Sequence, residues 1–335
     1  IAGISRGMIY FLLAAGLTAG RAQVDDTGAR HKKENGVATV ICNDFFSYFK
    51  STRSKSRINF LEIFCGSKIE YTITDEALDY IKGYDQPKLI MDKLYAMIDK
   101  GPKNKQEWAT FLKEHLFGHK ACKILTEGAL IGTLVARGTL TSEMVFLSDG
   151  AGQFNILKHA LCWVHIERSI KKLIPANEND RLERDAILEK FWAFYRDLKV
   201  YKEAPTEAQK VLLGARFDEI FSFRATEPQL LQALKKICDQ KAQLLLVLDH
   251  PSIPLHNNTS ERDIRELVTK RKISGGTRSD AGRDARDTFT SLYKTCKKLG
   301  VKFWQFLDDR LNNTNIIPPL ADLVRKKIES AAPGP

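Results

Sequence analysis

Apolar and polar positions follow two different periods along this chain. Near the start the spacing suits strands. Residues 22–30 and 36–49 read as a strand pair, with the β-branched run Gly36-Val-Ala-Thr-Val-Ile41 at its centre and Glu34-Asn35-Gly36 supplying a hairpin turn. Phe45-Phe-Ser-Tyr-Phe49 reads as a third strand. Three early antiparallel strands are a natural platform for one sheet. The stretch from 60 to 120 is mixed, with a short strand near Tyr71–Ile73 and helical spacing over 75–83, 88–99 and 105–116. A helix over Glu127–Arg137 leads into the continuous apolar run 144–148, the pattern of a strand covered on both faces and paired in parallel. Ala160-Leu-Cys-Trp-Val164 reads as another buried strand, followed by a helix through Ile174.

From 177 to 248 the period becomes helical throughout. Ile187, Leu188, Phe191, Trp192, Tyr195 and Leu198 recur at helix spacing, as do Leu230, Leu231, Leu234, Ile237 and Cys238. Pro251 and Pro254 mark the exit from this block, and a further helix carries Glu261 on its first turn. The expected organisation is an N-terminal helix over 1–20, a core over 21–176, a helical insertion over 177–250, a return to the core over 251–310, and a docked, fraying tail over 311–335. Strands interleaved with helices place the chain in the α/β class.

Composition narrows the partners. The 335 residues carry a net charge of +11, for which a polyanion is the simplest partner. Between Glu261 and Lys302, twelve Lys and Arg residues face six Asp and Glu, so over half of the net charge sits in one segment. The six cysteines are scattered with no Cys-x-x-Cys pair, which points to reduced thiols in a cytosol rather than a disulfide framework. Cys162-Trp-Val-His165 has half of a zinc-like spacing, but no second pair accompanies it. No run reaches the ~20 apolar residues of a membrane span. Met8–Ala22 has the short apolar core of a signal peptide, yet the basic segment and the unpaired cysteines favour a helix packed beside the first strand. The chain opens on Ile1 rather than Met, as a fragment would.

Three carboxylates stand out at the ends of these elements. Asp25 lies on the first strand, with Asp26 pointing to the opposite face and Thr27 to the same one. Asp149 ends a buried strand and precedes Gly150, at the edge where ligands gather in open α/β sheets. Glu261 opens the basic helix, where Asn258-Thr-Ser-Glu261 also fits a capping box. Arg265, one turn on, is in reach of Glu261. Lys270-Arg-Lys-Ile-Ser-Gly-Gly-Thr-Arg-Ser-Asp-Ala-Gly-Arg283 reads as a basic, glycine-bearing loop able to approach phosphates, and it does not match a Walker A loop. Oxygen ligands on a basic chain suit Mg²⁺, and paired ions about 4 Å apart suit phosphoryl displacement. A Ser-His-Asp hydrolase is disfavoured, since no Gly-x-Ser-x-Gly elbow occurs.

Five ordered blocks carry a family resemblance. They are Val24-Asp-Asp-Thr-Gly-Ala-Arg-His31, Ser148-Asp-Gly-Ala-Gly-Gln-Phe154, His159-Ala-Leu-Cys-Trp-Val-His-Ile-Glu-Arg168, His256-Asn-Asn-Thr-Ser-Glu-Arg-Asp-Ile-Arg265 and Lys270–Arg283. Over residues 20 to 325 the chain resembles bacterial transposases of the insertion sequence 66 family. The resemblance implies a ribonuclease-H-like mixed sheet flanked by helices, with the all-helical stretch inserted before the helix of the catalytic glutamate. It implies a DDE triad on Asp25, Asp149 and Glu261, holding Mg²⁺, for which Mn²⁺ can substitute. Asp26, Cys162, Trp163 and His165 are candidates for organising that site. Arg262, Arg265, Lys270, Arg271, Lys272 and Arg278 are the expected contacts to DNA phosphates. The implied activity is cleavage at the ends of an insertion sequence and strand transfer into target double-stranded DNA, by a homo-oligomer in the bacterial cytoplasm at the nucleoid. The alternative is a catalytically inactive DNA-binding remnant or accessory protein of the same fold. Family members usually carry an N-terminal DNA-binding region, which is not among these residues.

Overall fold

The computed structural model describes residues 6–98 and 100–331. The outermost residues of the expected first helix and tail, and residue 99 of the expected 88–99 helix, lie outside that range. The elements run α1 (Arg6–Leu17), β1 (Arg21–Gly28), β2 (Val37–Cys42), β3 (Ser47–Thr52), α2 (Arg57–Cys65), α3 (Asp75–Lys82), α4 (Lys88–Tyr95), α5 (Lys105–Glu114) and α6 (His119–Ala136). Then come β4 (Val145–Ser148), β5 (Lys158–Leu161), α7 (Trp163–Lys171), α8 (Glu178–Glu203), α9 (Glu207–Phe221), α10 (Pro228–Asp239), α11 (Lys241–Leu244) and α12 (Leu246–Asp249). The chain closes with α13 (Asn258–Ser274), α14 (Asp280–Leu299), α15 (Phe303–Leu311) and α16 (Leu320–Ala331). Among the described residues, five strands, antiparallel in one set and parallel in another, flanked by helices, make this a mixed α/β fold.

Two compact units divide the chain. The first comprises residues up to Met144, Gly152–Leu157 and everything from Thr259 onward; the second comprises Val145–Ala151 and Lys158–Asn258.

In the first unit β1, β2 and β3 form an antiparallel meander. Asp25 pairs with Val40 across β1–β2, and Val40 with Phe49 across β2–β3. All of β2 is buried, as its Val-Ala-Thr-Val-Ile-Cys sequence requires. One sheet face packs Ala38, Val40, Cys42 and Phe49 against Ile264 and Leu267 of α13. The connections differ from expectation. β2 ends at Cys42 because the Asn43 side chain accepts hydrogen bonds from the N–H groups of Phe45 and Phe46, turning the chain. The third strand therefore starts at Ser47. The β1–β2 turn lies at His31–Glu34, not at Glu34-Asn35-Gly36, with reciprocal backbone bonds of 3.0 and 2.9 Å. Gly36 serves another purpose, since a Cβ there would sit 2.7 Å from the Ala29 carbonyl oxygen.

The outer edge of this meander is closed by α14. The N–H groups of Ser47, Phe49 and Ser51 donate to the side chains of Thr295, Ser291 and Asp287, at 3.1, 2.8 and 2.7 Å. Residues two apart on a strand advance about 6.8 Å, and residues four apart on a helix about 6.0 Å, so the two ladders stay nearly in step. A helix face thus replaces a neighbouring strand, and the edge is not left as a template for pairing with another chain. Ser279 caps the start of α14 by accepting from Gly282 N–H, and Gly300 ends it in the left-handed conformation. Tyr71–Ile73 forms only an isolated bridge, Tyr71 to Lys103. The tail beyond Pro319 is helical: α16 buries Leu320, Ala321 and Val324 and packs against α1.

In the second unit β4 and β5 pair in parallel, Val145 with Lys158 and Ser148 with Leu161. β5 runs from Lys158 to Leu161, and Trp163 already begins α7, so the strand expected over 160–164 lies earlier and shares only residues 160–161 with it. Helices α8 to α12 surround Trp163, whose ring lies 5.4–6.4 Å from those of Phe191, Phe194, Phe217 and Phe221. Helix starts are capped by Asn177, Thr206 and Glu227, the last beside Pro228 in the first turn.

Candidate functional site

Residues paired directly across antiparallel strands share a sheet face. Asp25 is opposite Val40, Gln23 opposite Cys42 and Thr27 opposite Ala38. Val40, Cys42 and Ala38 all belong to the face that packs on Ile264 and Leu267 of α13. Asp25 therefore stands on the α13 side of the sheet. Its neighbours on that face bind the helix directly. Gln23 Oε1 accepts from the N–H groups of Thr259 and Ser260, at 3.1 and 3.3 Å. Four residues on, Thr27 Oγ1 accepts from Arg271 Nη1 at 3.2 Å, and the Gly28 carbonyl accepts from the same guanidinium. The helix is tied to β1 at both ends, with Asp25 between the ties. Glu261 precedes Ile264 by three positions, so it lies on the same stripe of α13. Its side chain is 14% exposed, and Arg265 approaches it to 3.5 Å.

Asp26 takes the other face. It is paired with Lys55, and its Oδ2 accepts from Gln153 Nε2 at 2.5 Å. The adjacent aspartates thus have different surroundings, as the two-residue period of a strand demands.

In the second unit Asp149 directly follows β4 and is exposed. Its Oδ1 accepts from Ala151 N–H at 3.0 Å, and Gly150 adopts φ 97°. This turn is held from below. Ser148 Oγ accepts from Gly150 N–H at 3.0 Å and shares a 2.7 Å hydrogen bond with His159 Nε2 on β5. Ser148 and His159 position the Asp149 turn, and sequence reasoning did not single them out. Nor did it single out Gln23. The signal was present for Ser148 and His159, which sit inside recognised blocks on adjacent, paired strands.

Cys162 and Trp163 hydrogen-bond the segment that precedes Asn258. Cys162 Sγ accepts from Asn257 N–H at 3.4 Å, and Trp163 N–H donates to the Leu255 carbonyl at 3.0 Å. The Trp163 indole donates to the Leu244 carbonyl at 3.2 Å and is otherwise sealed in the aromatic core. His165, on the first turn of α7, lies 3.5 Å from an Arg168 guanidinium nitrogen.

The expected basic loop Lys270–Arg283 is two helix ends with a short link. Lys270, Arg271 and Lys272 are on the last turns of α13; Asp280 and Arg283 are on the first turn of α14. Helix propensity outlasts the charge density here, because Lys270 pairs with Glu266 at 3.3 Å. Arg262, Arg265, Lys270, Lys272 and Arg278 are exposed, while Arg271 is partly covered by β1. Among the described residues, no group of three or more His, Cys, Asp or Glu is placed to hold a metal ion. No described helix is long and apolar enough to cross a membrane.

Within the first unit, Asp25 on β1 and Glu261 on the first turn of α13 lie in an α/β fold whose α13 also carries an exposed basic face. Comparison with known proteins gives the family. The family described as Transposase IS66 family matches residues 135–285, a stretch that holds Asp149 and Glu261 but not Asp25. An uncharacterized protein of Sinorhizobium fredii (strain NBRC 101917 / NGR234), y4jO, is 41% identical over 324 residues, covering 94% of this chain and 100% of the relative. No solved structure matches. The chain belongs to the IS66 transposase family.

Proposed function

We propose that this chain is the catalytic core of a DDE transposase, with a ribonuclease-H-like arrangement in which Asp25, Asp149 and Glu261 hold Mg²⁺. The observation that carries the reading is the seam between β1 and α13. There Asp25 and Glu261 belong to facing surfaces, fixed by the Gln23 and Thr27 ties. Asp149 fits as the third ligand through its place at the C-terminal end of a parallel strand. The donor set suits the ion, since Mg²⁺ takes hard oxygen ligands.

When bound, Mg²⁺ would supply charge stabilisation at the phosphodiester undergoing displacement. The chain's own groups do the rest. Arg265 orients the Glu261 carboxylate, and Ser148 with His159 fixes the turn that presents Asp149. Arg262, Lys270, Lys272 and Arg278 bind backbone phosphates and so hold the duplex in register without reading its sequence.

The test is a labelled duplex carrying an element end, incubated with Mg²⁺ or Mn²⁺. Asp149→Asn, Asp25→Asn and Glu261→Gln are each expected to lose cleavage and joining by more than the about 10–100-fold typical of outer-shell changes. DNA binding should stay within a few-fold of wild type. Full activity in Asp149→Asn sinks the site. Binding by the wild type without scission at any metal concentration identifies an inactive remnant.

A further inference from the structure

The β1–β2 turn carries Lys32 and Lys33 at its two corners, both in the left-handed conformation, with φ 49° and 69°. Two-residue turns of this kind favour Asn-Gly, because each corner residue must take positive φ. Lysines there are conformationally unfavourable, and a tertiary clamp holds them. Thr277 N–H donates to the Arg30 carbonyl at 3.0 Å, and Lys32 N–H donates to the Thr277 carbonyl at 2.8 Å. His31 Nδ1 and Thr277 Oγ1 share a 2.9 Å hydrogen bond. Asp280 accepts from both His31 and Lys32. Gly276 makes the approach possible at φ 142°, since a Cβ there would sit 2.6 Å from the Arg30 carbonyl oxygen. Thr277 thus acts as a one-residue strand alongside the turn.

The clamp fuses two basic segments that are about 240 positions apart in the chain. Residues 29–34 and 270–283 together hold eight Lys and Arg against Glu34 and Asp280. Arg30, Lys33, Lys272 and Arg278 are exposed, and the Lys32 side chain is 52% exposed. Arg271 links the same two segments from beneath through Thr27 and Gly28.

We propose that the β1–β2 turn, through Lys32 and Lys33, is a DNA-backbone contact that works as one surface with Lys272 and Arg278. A rigid, exposed turn bearing two ammonium groups suits phosphate contact, which positions a duplex and carries no sequence information. The inference rests on the DNA-binding reading above and adds a contact element to it.

The measurement is fluorescence anisotropy of the full chain with a short non-specific duplex, across about 50–200 mM salt. The informative variant is Lys32→Asn/Lys33→Gly. It removes both charges while installing the residues that this turn geometry favours, so its melting temperature should hold or rise. Its affinity should fall at least about tenfold at low salt, and the slope of log K against log salt should drop by about 1–2. The control Lys88→Asn/Lys113→Asn removes two exposed charges from α4 and α5 and should leave the slope unchanged. An unchanged slope in the turn variant, with the wild type still binding, overturns the turn contact and leaves the DNA reading standing. Absence of any wild-type duplex binding overturns both. Competition by polyglutamate as effective as duplex at equal charge would make this an acidic-protein surface and likewise overturn the proposal.

Discussion

The helical block around Trp163 and the seam between β3 and α14 hold their elements together by opposite means. In the block, buried aliphatic and aromatic side chains from α7 to α12 form one continuous cluster. In the seam, the strand's N–H groups find Thr295, Ser291 and Asp287, and Asp263 gathers Ser47, Lys294 and Lys298 beside them. An apolar cluster tolerates small shifts, because dispersion and hydrophobic burial have no direction. A ladder of directed hydrogen bonds does not: each donor needs its own acceptor in place, and a buried donor left alone costs free energy. The first arrangement gives a stable mass of helices; the second fixes register.

The contrast can be broken at its centres. The largest effect is expected for Trp163→Ala, which opens a cavity among four phenylalanines and should destabilise the helical block by about 3–5 kcal/mol. Urea unfolding followed by near-UV signals would show it, and a loss under 1 kcal/mol would mean that the block does not depend on this core (about a third of the expected loss).

Asp287→Ala should cost about 1–3 kcal/mol by stranding the Ser51 N–H, whereas Asp287→Asn keeps an acceptor and should cost less. Burial raises the Asp287 carboxyl above its ordinary value, against the opposing pull of Arg286. The folded state then binds the proton more tightly than the unfolded one. Stability from this residue is present at low pH and declines as pH rises from the unfolded carboxylate value through the raised folded one. Asn at 287 should flatten that part of the pH–stability curve. An identical curve in wild type and variant would remove Asp287 from the account.

The smallest effect is expected at a helix start. Thr206→Ala removes the acceptor for Gln209 N–H at the head of α9 and should cost about 1 kcal/mol. If it costs as much as Trp163→Ala, capping rather than the apolar cluster governs the block.

Much of this was legible. The helical period at Ile187, Phe191, Tyr195 and Leu198 marks residues that are all buried. The β-branched run from Val37 to Ile41 forms a strand, and Asp149 follows another. What was misread has a common cause. Asn35-Gly36 is the strongest local hairpin signal, yet the turn sits at Lys32-Lys33 because Thr277 binds there. The Lys270–Arg283 stretch looked like a loop from its charge and glycines, but its ends continue two helices. The α14 seam left no trace in hydrophobic spacing, since its contacts are made by Ser, Thr and Asp. Trp163 lies in a family-like block, yet its indole stands in the core and donates to the Leu244 carbonyl.

Side-chain polarity and its period depend on neighbours three or four residues away, so the chain alone determined its helical block, its antiparallel strands and the acidic ends of its elements. Which face of β1 meets α13, which carbonyl receives the Thr277 amide, and which helix closes the β3 edge are contacts between residues up to about 250 positions apart. Their strength depends on direction as well as residue type, and direction exists only after the chain has packed.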